Sequence, residues 1–217
     1  MTQNMIFKNG EGDQWYKRNK SKLVPKEDYV CRMIENIGVR PQRIVELGCS
    51  NGCRLEHLRQ KYNAVCYGYD ISHEAIEAGS KAFSHVHLAQ KALHEVPSDE
   101  TFDLVICNFV LHWVDRNHLA QSMVTIDALV RGGGTLVLGD FCPDYQQKRK
   151  YHHLPNEEVY TYKQDYAAFF KAIGLYREVA VFTFNHDKLI YGYAPSEERG
   201  MCTALRKMED NEYYVLV

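Results

Sequence analysis

Val45-Glu46-Leu47-Gly48-Cys49-Ser50-Asn51-Gly52 is the stretch on which the reading of this chain turns. The apolar run 43–47 predicts a strand, and Leu55-Glu56-His57-Leu58-Arg59-Gln60-Lys61-Tyr62 predicts a helix right after it. Glycines at a strand-to-helix turn let the backbone bend sharply and bring main-chain N–H groups close to a ligand. The helix start adds the positive end of its dipole. The spacing is E-x-G-x-S-x-G, not the G-x-G-x-x-G of dinucleotide binding. Glu46 would repel a pyrophosphate but can accept from an ammonium group.

Outward from this loop, apolar runs alternate with amphipathic ones. Strands are predicted at 64–70, 85–89, 102–109 and 135–141, and helices at 73–83 and 116–130, the latter stopping at Gly132-Gly133-Gly134 as a positive-φ cap. The run 102–109 is nearly all apolar, as a central parallel strand covered on both faces should be. This alternation predicts an α/β fold with a parallel, right-handed βαβ sheet. Asp70 ends the second strand eighteen residues past Gly52, where a carboxylate can take both hydroxyls of a ribose. After residue 141 the pattern changes. Residues 142–162 form a polar insert dense in Tyr and His, residues 163–174 look helical, and 177–185 and 212–217 read as two closing strands.

The bulk properties narrow the class. The 217 residues are 45% hydrophobic and 25% charged with a net charge of -2, which suits one globular domain over 1–217. No basic face is evident, so no nucleic-acid or anionic-membrane partner is expected. The seven cysteines contain no C-x-x-C pair and read as free thiols of a reduced, cytoplasmic protein without a metal site. No signal-peptide core or membrane span is legible.

With these features in place, the chain resembles the class I S-adenosylmethionine (SAM) dependent methyltransferase family. VELGCSNG looks like its first motif, YGYDIS its second, FDLVICNFVLHWV its strand-four motif and LVRGGGTLVLGDF the junction into strand five. The resemblance implies a Rossmann-like α/β fold with a seven-stranded, mostly parallel sheet and a C-terminal antiparallel hairpin. It implies SAM as cofactor and S-adenosylhomocysteine as product. Carried over, Glu46 and the loop of Gly48, Cys49, Ser50 and Gly52 would hold the methionine part. Asp70 would bind the ribose, Ile71 would pack on the adenine, and Asn108 and Phe109 would flank the sulfonium. Ser50 departs from the family's middle glycine. Lys91 and Ala92 stand where an acidic residue is common, so adenine contacts there would be made through the backbone.

Two further regions bear on chemistry. The N-terminal arm, 1–24, carries Gly12-Asp13-Gln14-Trp15-Tyr16-Lys17-Arg18-Asn19. This pattern is similar to methyltransferases associated with bacterial surface-sugar (pseudaminic acid type) pathways. Arg18 can pair bidentately with the cofactor carboxylate, with Tyr16 beside it. Candidate bases are His112 beyond the fourth strand and His152 and His153 in the insert, because a neutral imidazole can take a proton from an alcohol. Trp113, Tyr151, Tyr162 and Lys163 are candidate acceptor contacts. The expected reaction is methyl transfer to an oxygen of a small polar acceptor, a sugar-derived metabolite being one option, with N-methylation and a non-catalytic SAM- or nucleoside-binding role as rivals.

Overall fold

The computed structural model describes residues 2–188 and 190–209. In chain order the strands are β1 (Arg43–Leu47), β2 (Val65–Asp70), β3 (Val86–Gln90), β4 (Phe102–Asn108), β5 (Val130–Phe141), β6 (Gln147–Lys150), β7 (Tyr160–Lys163), β8 (Tyr176–Asn185), β9 (Ile190–Tyr191) and β10 (Arg199–Lys207). The helices are α1 (Gln3–Ile6), α2 (Gly12–Asn19), α3 (Tyr29–Asn36), α4 (Cys53–Tyr62), α5 (His73–Ala82), α6 (Leu119–Leu129) and α7 (Ala167–Ala172). The main sheet runs β3-β2-β1-β4-β5-β10-β8-β9. Its first five strands are parallel, and β10 is antiparallel to both β5 and β8.

Strand order reverses between β1 and β4. The chain moves outward from β1 to β3, then returns to lay β4 on the other side of β1. Connections therefore diverge above the carboxyl ends of β1 and β4, and this crevice is where open α/β sheets bind ligands. Helices cover both faces of the sheet. Met123, Ile126 and Leu129 of α6 and Phe170 of α7 bury one face. Val30, Met33 and Ile34 of α3, Leu55 and Leu58 of α4 and Ile76 of α5 bury the other. No helix among the described residues is long and apolar enough to cross a membrane.

The α/β architecture and its antiparallel end match the sequence reading, with four differences. The main sheet has eight strands rather than seven, because the short β9 pairs with the end of β8. The partner of β8 is β10, at 199–207, and the expected closing strand at 212–217 lies outside the described residues. The Gly132–Gly134 run does not cap α6. That helix ends at Leu129 because Val130 is already extended and paired with Phe102, and Gly133 (φ 70°) sits instead at an irregularity inside β5. The helix expected at 163–174 is shorter, since β6 and β7 of the insert form an antiparallel hairpin that extends to Lys163, and α7 covers only Ala167–Ala172.

The N-terminal arm and this insert meet. Phe7, Tyr151 and Val159 form a small buried cluster with Ile71 and Trp113 packed against it. Gln3 pins α1 there. Its amide donates to the carbonyls of Trp113 (2.7 Å) and Tyr160 (2.9 Å) and accepts from the Tyr160 N–H (2.9 Å). The arm lines the crevice through Asn4, Phe7, Gly12 and Trp15, and the hairpin braces the arm from behind.

Candidate active site

The turn after β1 alternates handedness. Gly48 (φ 74°), Ser50 (φ 51°) and Gly52 (φ 72°) all lie in the left-handed region. Gly48 has no alternative, because a Cβ there would stand 2.1 Å from Val110 Cγ2. Ser50 accepts the same backbone conformation at a cost that glycine avoids. The turn is tied to the second motif from both sides. Gly48 and Cys49 N–H both donate to the Tyr69 carbonyl (2.7 and 3.1 Å), and Ser50 N–H donates to Asp70 Oδ2 (2.7 Å). Ser72 N–H donates to the other oxygen of Asp70 (2.8 Å). Burial raises the Asp70 carboxyl above its ordinary value, against the Ser72 and Ser50 N–H groups that favour the charge.

Beneath the turn lies a buried charge network. Arg54, in the first turn of α4, donates to Asp28 Oδ2 (2.8 Å) and contacts Glu46 Oε1. Asp28 also caps α3, accepting from Val30 and Cys31 N–H at 3.0 Å each. Burial opposes the charge on Asp28, but Arg54 and the Cys31 N–H outweigh it and hold its carboxyl below the usual range. Glu46 is only 1% exposed, and burial pushes its carboxyl up to about 7 despite Arg54. Among the described residues its Oε2 has no hydrogen-bond partner, and neither does the buried Ser50 hydroxyl. Unpartnered buried polar atoms of this kind call for a ligand or a water.

A cavity of about 630 Å3 opens over the turn, within the range of small-molecule sites. Of the cofactor residues expected from sequence, Glu46, Gly48, Cys49, Ser50, Asp70, Ile71, Lys91, Ala92, Asn108 and Phe109 line it. Gly52 does not line it but starts α4. Phe109 is held at φ 53°, unusual for an aromatic residue and typical of a functional turn. Asn108 Oδ1 accepts from the Tyr29 hydroxyl (2.7 Å), which ties the end of β4 to α3.

The candidate bases separate clearly. His112 lines the cavity and is buried, and its Nδ1 lies 2.8 Å from Asp140 Oδ1. A carboxylate only accepts, so Nδ1 carries a proton, and in the neutral ring the lone pair is on Nε2. Asp140 is itself held by the Phe141 N–H (2.8 Å) and a long bond from the His112 N–H (3.3 Å). His152 and His153 are exposed and do not line the cavity, because the buried residue of that tripeptide is Tyr151. Trp113 lines the cavity, whereas Tyr151, Tyr162 and Lys163 do not. Tyr162 stacks under the Arg116 guanidinium, 4.3 Å away.

The arm is placed differently from the sequence expectation. Neither Tyr16 nor Arg18 lines the cavity. Arg18 contacts Glu11 and donates to the Tyr151 hydroxyl (3.1 Å), and that hydroxyl donates to Glu11 (2.8 Å). The physical reason is that Glu11 is buried and needs both partners. Asp13 instead joins the arm to the second motif. Its Oδ1 accepts from the Ser72 hydroxyl (2.6 Å) and the Glu74 N–H (3.0 Å) at the start of α5. Asp28, Arg54, Tyr29, Phe141 and His186 also face the cavity and were not assigned to it from sequence. The Asp28-Tyr29-Val30 start of a helix was legible as an N-cap signal. Arg54 carried none, since a basic residue beside a loop reads as solvated surface.

Comparison with known proteins gives the family and the fold. Residues 19–176 match the family described as methyltransferase domain. A malonyl-[acyl-carrier protein] O-methyltransferase of Halalkalibacterium halodurans is 26% identical over 48% of this chain and 41% of that protein. A tRNA N(3)-methylcytidine methyltransferase of Schizosaccharomyces pombe is 26% identical over 63% of this chain and 61% of that protein. The chain thus spans about half the length of these curated relatives. Among solved structures, the Burkholderia thailandensis 1,6-didemethyltoxoflavin-N1-methyltransferase, crystallised with its substrate and S-adenosylhomocysteine, superposes with a TM-score of 0.67. It is 13% identical, over 94% of this chain and 85% of that one. With its glycine turn, its strand-end acid and a family match across most of its length, this chain belongs to the methyltransferase-domain family.

Proposed function

We propose that this chain transfers a methyl group from SAM to an oxygen of a small-molecule acceptor. The observation that carries the reading is one cavity lined both by the glycine turn with Asp70 and by His112, which Asp140 holds. The residues present fit the cofactor. Glu46 Oε2 and the Ser50 hydroxyl are buried and unpartnered beside the turn, where an amino-acid tail would meet them. Asp70 lines the cavity at the strand end, where each of its oxygens accepts one backbone N–H and keeps a further lone pair for a ribose hydroxyl, and Ile71 offers an apolar flank. When bound, SAM supplies an electrophilic methyl on a sulfonium. The protein's part is to align the acceptor and take its proton.

His112 is the group placed to take that proton, and Asp140 keeps it in the correct tautomer. An amine acceptor carrying its charge would want a free carboxylate, and Asp140 is already engaged by His112 and the backbone. The association with surface-sugar pathways rests on the arm motif alone. In this structure Gly12 packs against Ile71, and Asp13 and Arg18 brace the arm.

Calorimetric titration with SAM and S-adenosylhomocysteine tests the reading, using wild type and Asp70→Ala. Each charge-assisted bond to a ribose hydroxyl is worth roughly 1.5–3 kcal/mol, so Asp70→Ala should lose most measurable affinity. Unchanged affinity, or no S-adenosylhomocysteine formed with any acceptor in a metabolite extract, overturns it.

A further inference from the structure

The acceptor end of the cavity is built from rings. Phe141 meets His112, Phe109 and His186 edge-on, with centroids 4.9, 4.9 and 4.7 Å away, and Trp113 packs on His112 at 4.3 Å. All five line the cavity. A wall of this kind suits a flat ring, which gains offset or edge-to-face contacts, better than a hydrated sugar.

Behind that wall sits a cation. Lys163, at the end of β7, is 7% exposed and does not line the cavity, and its ammonium lies 3.9 Å from the centroid of the Phe141 ring. Its other contact is a long bond to the Glu197 carbonyl (3.5 Å). Among the described residues no carboxylate pairs with it, although buried lysines are rarely left unpaired. Burial and the Arg149 guanidinium hold its ammonium below the usual lysine range, while the carboxylates of Asp187 and Asp140 favour its charge. A cationic acceptor would find the Phe141 ring already occupied by a positive charge, whereas an anion forming beside His112 would be stabilised through it.

We propose that the methyl acceptor is a flat ring compound whose hydroxyl reacts as an oxyanion, with Lys163 as the positioning charge that stabilises it. The inference rests on the methyl-transfer reading above. The hydroxyl proton goes to His112 Nε2. The oxygen pair forms the new bond to the methyl carbon, and the pair of the breaking carbon–sulfur bond stays on sulfur. The products are a methyl ether, S-adenosylhomocysteine and a protonated His112.

The test uses the full chain loaded with S-adenosylhomocysteine and 4-nitrophenol as the probe, because its anion absorbs visibly. Titration of the bound probe should show ionisation about one pH unit lower than in free solution. Lys163→Gln should remove at least half of that shift, and Lys163→Arg should retain it. The wild-type shift stands even if a variant folds poorly. If S-adenosylhomocysteine binds but the phenol does not, or ionises as it does in water, this inference fails and the methyl-transfer reading survives. The same holds if benzyltrimethylammonium displaces the phenol at lower concentration than phenol itself does. If S-adenosylhomocysteine itself does not bind, both fail together.

Discussion

His112 and Asp140 stand 28 positions apart in the chain, yet a 2.8 Å bond joins His112 Nδ1 to Asp140 Oδ1 inside the buried wall of the cavity. The bond exists because β4 and β5 are parallel neighbours, so the loop after one and the last residues of the other share one sheet edge. His112→Asn should lower turnover of an accepted substrate by about 10²–10⁴-fold while leaving SAM affinity near wild type. Asp140→Asn should lower turnover too, because an amide can favour the other imidazole tautomer. His152→Ala and His153→Ala, both exposed, should stay within a few-fold of wild type. Rates at saturating SAM decide this, and a His112 variant with full turnover removes the base assignment.

Glu46 makes cofactor binding depend on pH. Burial lifts its carboxyl to about 7, so below that pH it is mostly protonated and cannot serve an ammonium as a counter-charge. Binding a cation there requires loss of the proton. The apparent affinity for SAM should therefore rise with pH below about 7, by up to tenfold per unit, and level off above it. Glu46→Gln should flatten the dependence. Calorimetry in buffers of different ionisation heat reads the released proton directly, and equal heats in all buffers would count against the coupling.

Ser50 and Gly48 should respond in opposite ways. Ser50→Gly relieves a left-handed serine and removes a buried hydroxyl with no partner, so unfolding free energy should rise by about 1 kcal/mol. Gly48→Ala forces a Cβ into Val110 and should cost stability and SAM binding together. Urea unfolding of both variants checks the sign, and a destabilised Ser50→Gly would mean that the hydroxyl has a ligand or water partner.

Arg18 should matter for the arm rather than for direct cofactor contact. Arg18→Ala leaves the buried Glu11 with Tyr151 as its remaining side-chain partner. Because the Arg18 side chain is itself about one-third exposed, the expected loss is modest, about 1–3 kcal/mol. It should appear first as faster proteolysis of the arm. A selective loss of SAM affinity with an intact arm would restore the carboxylate-anchoring role.

The parts legible in the sequence are those that depend on short-range order. The turn at 45–52, Asp70 at the end of β2 and the apolar β4 each follow from periodicity and from residues a few positions apart, because backbone geometry there is set locally. What sequence left open depends on which distant segments the sheet brings together. Arg54 reads as surface until Glu46 and Asp28 close on it. Tyr151 rather than its histidine neighbours turns inward because Glu11, 140 positions away, needs its hydroxyl. His112 becomes the candidate base only when β5 delivers Asp140, and Lys163 becomes a buried cation only when the β6–β7 hairpin folds it behind Phe141. Burial and charge pairing are properties of the folded neighbourhood, and they are paid for between segments whose separation in the chain carries no local signal.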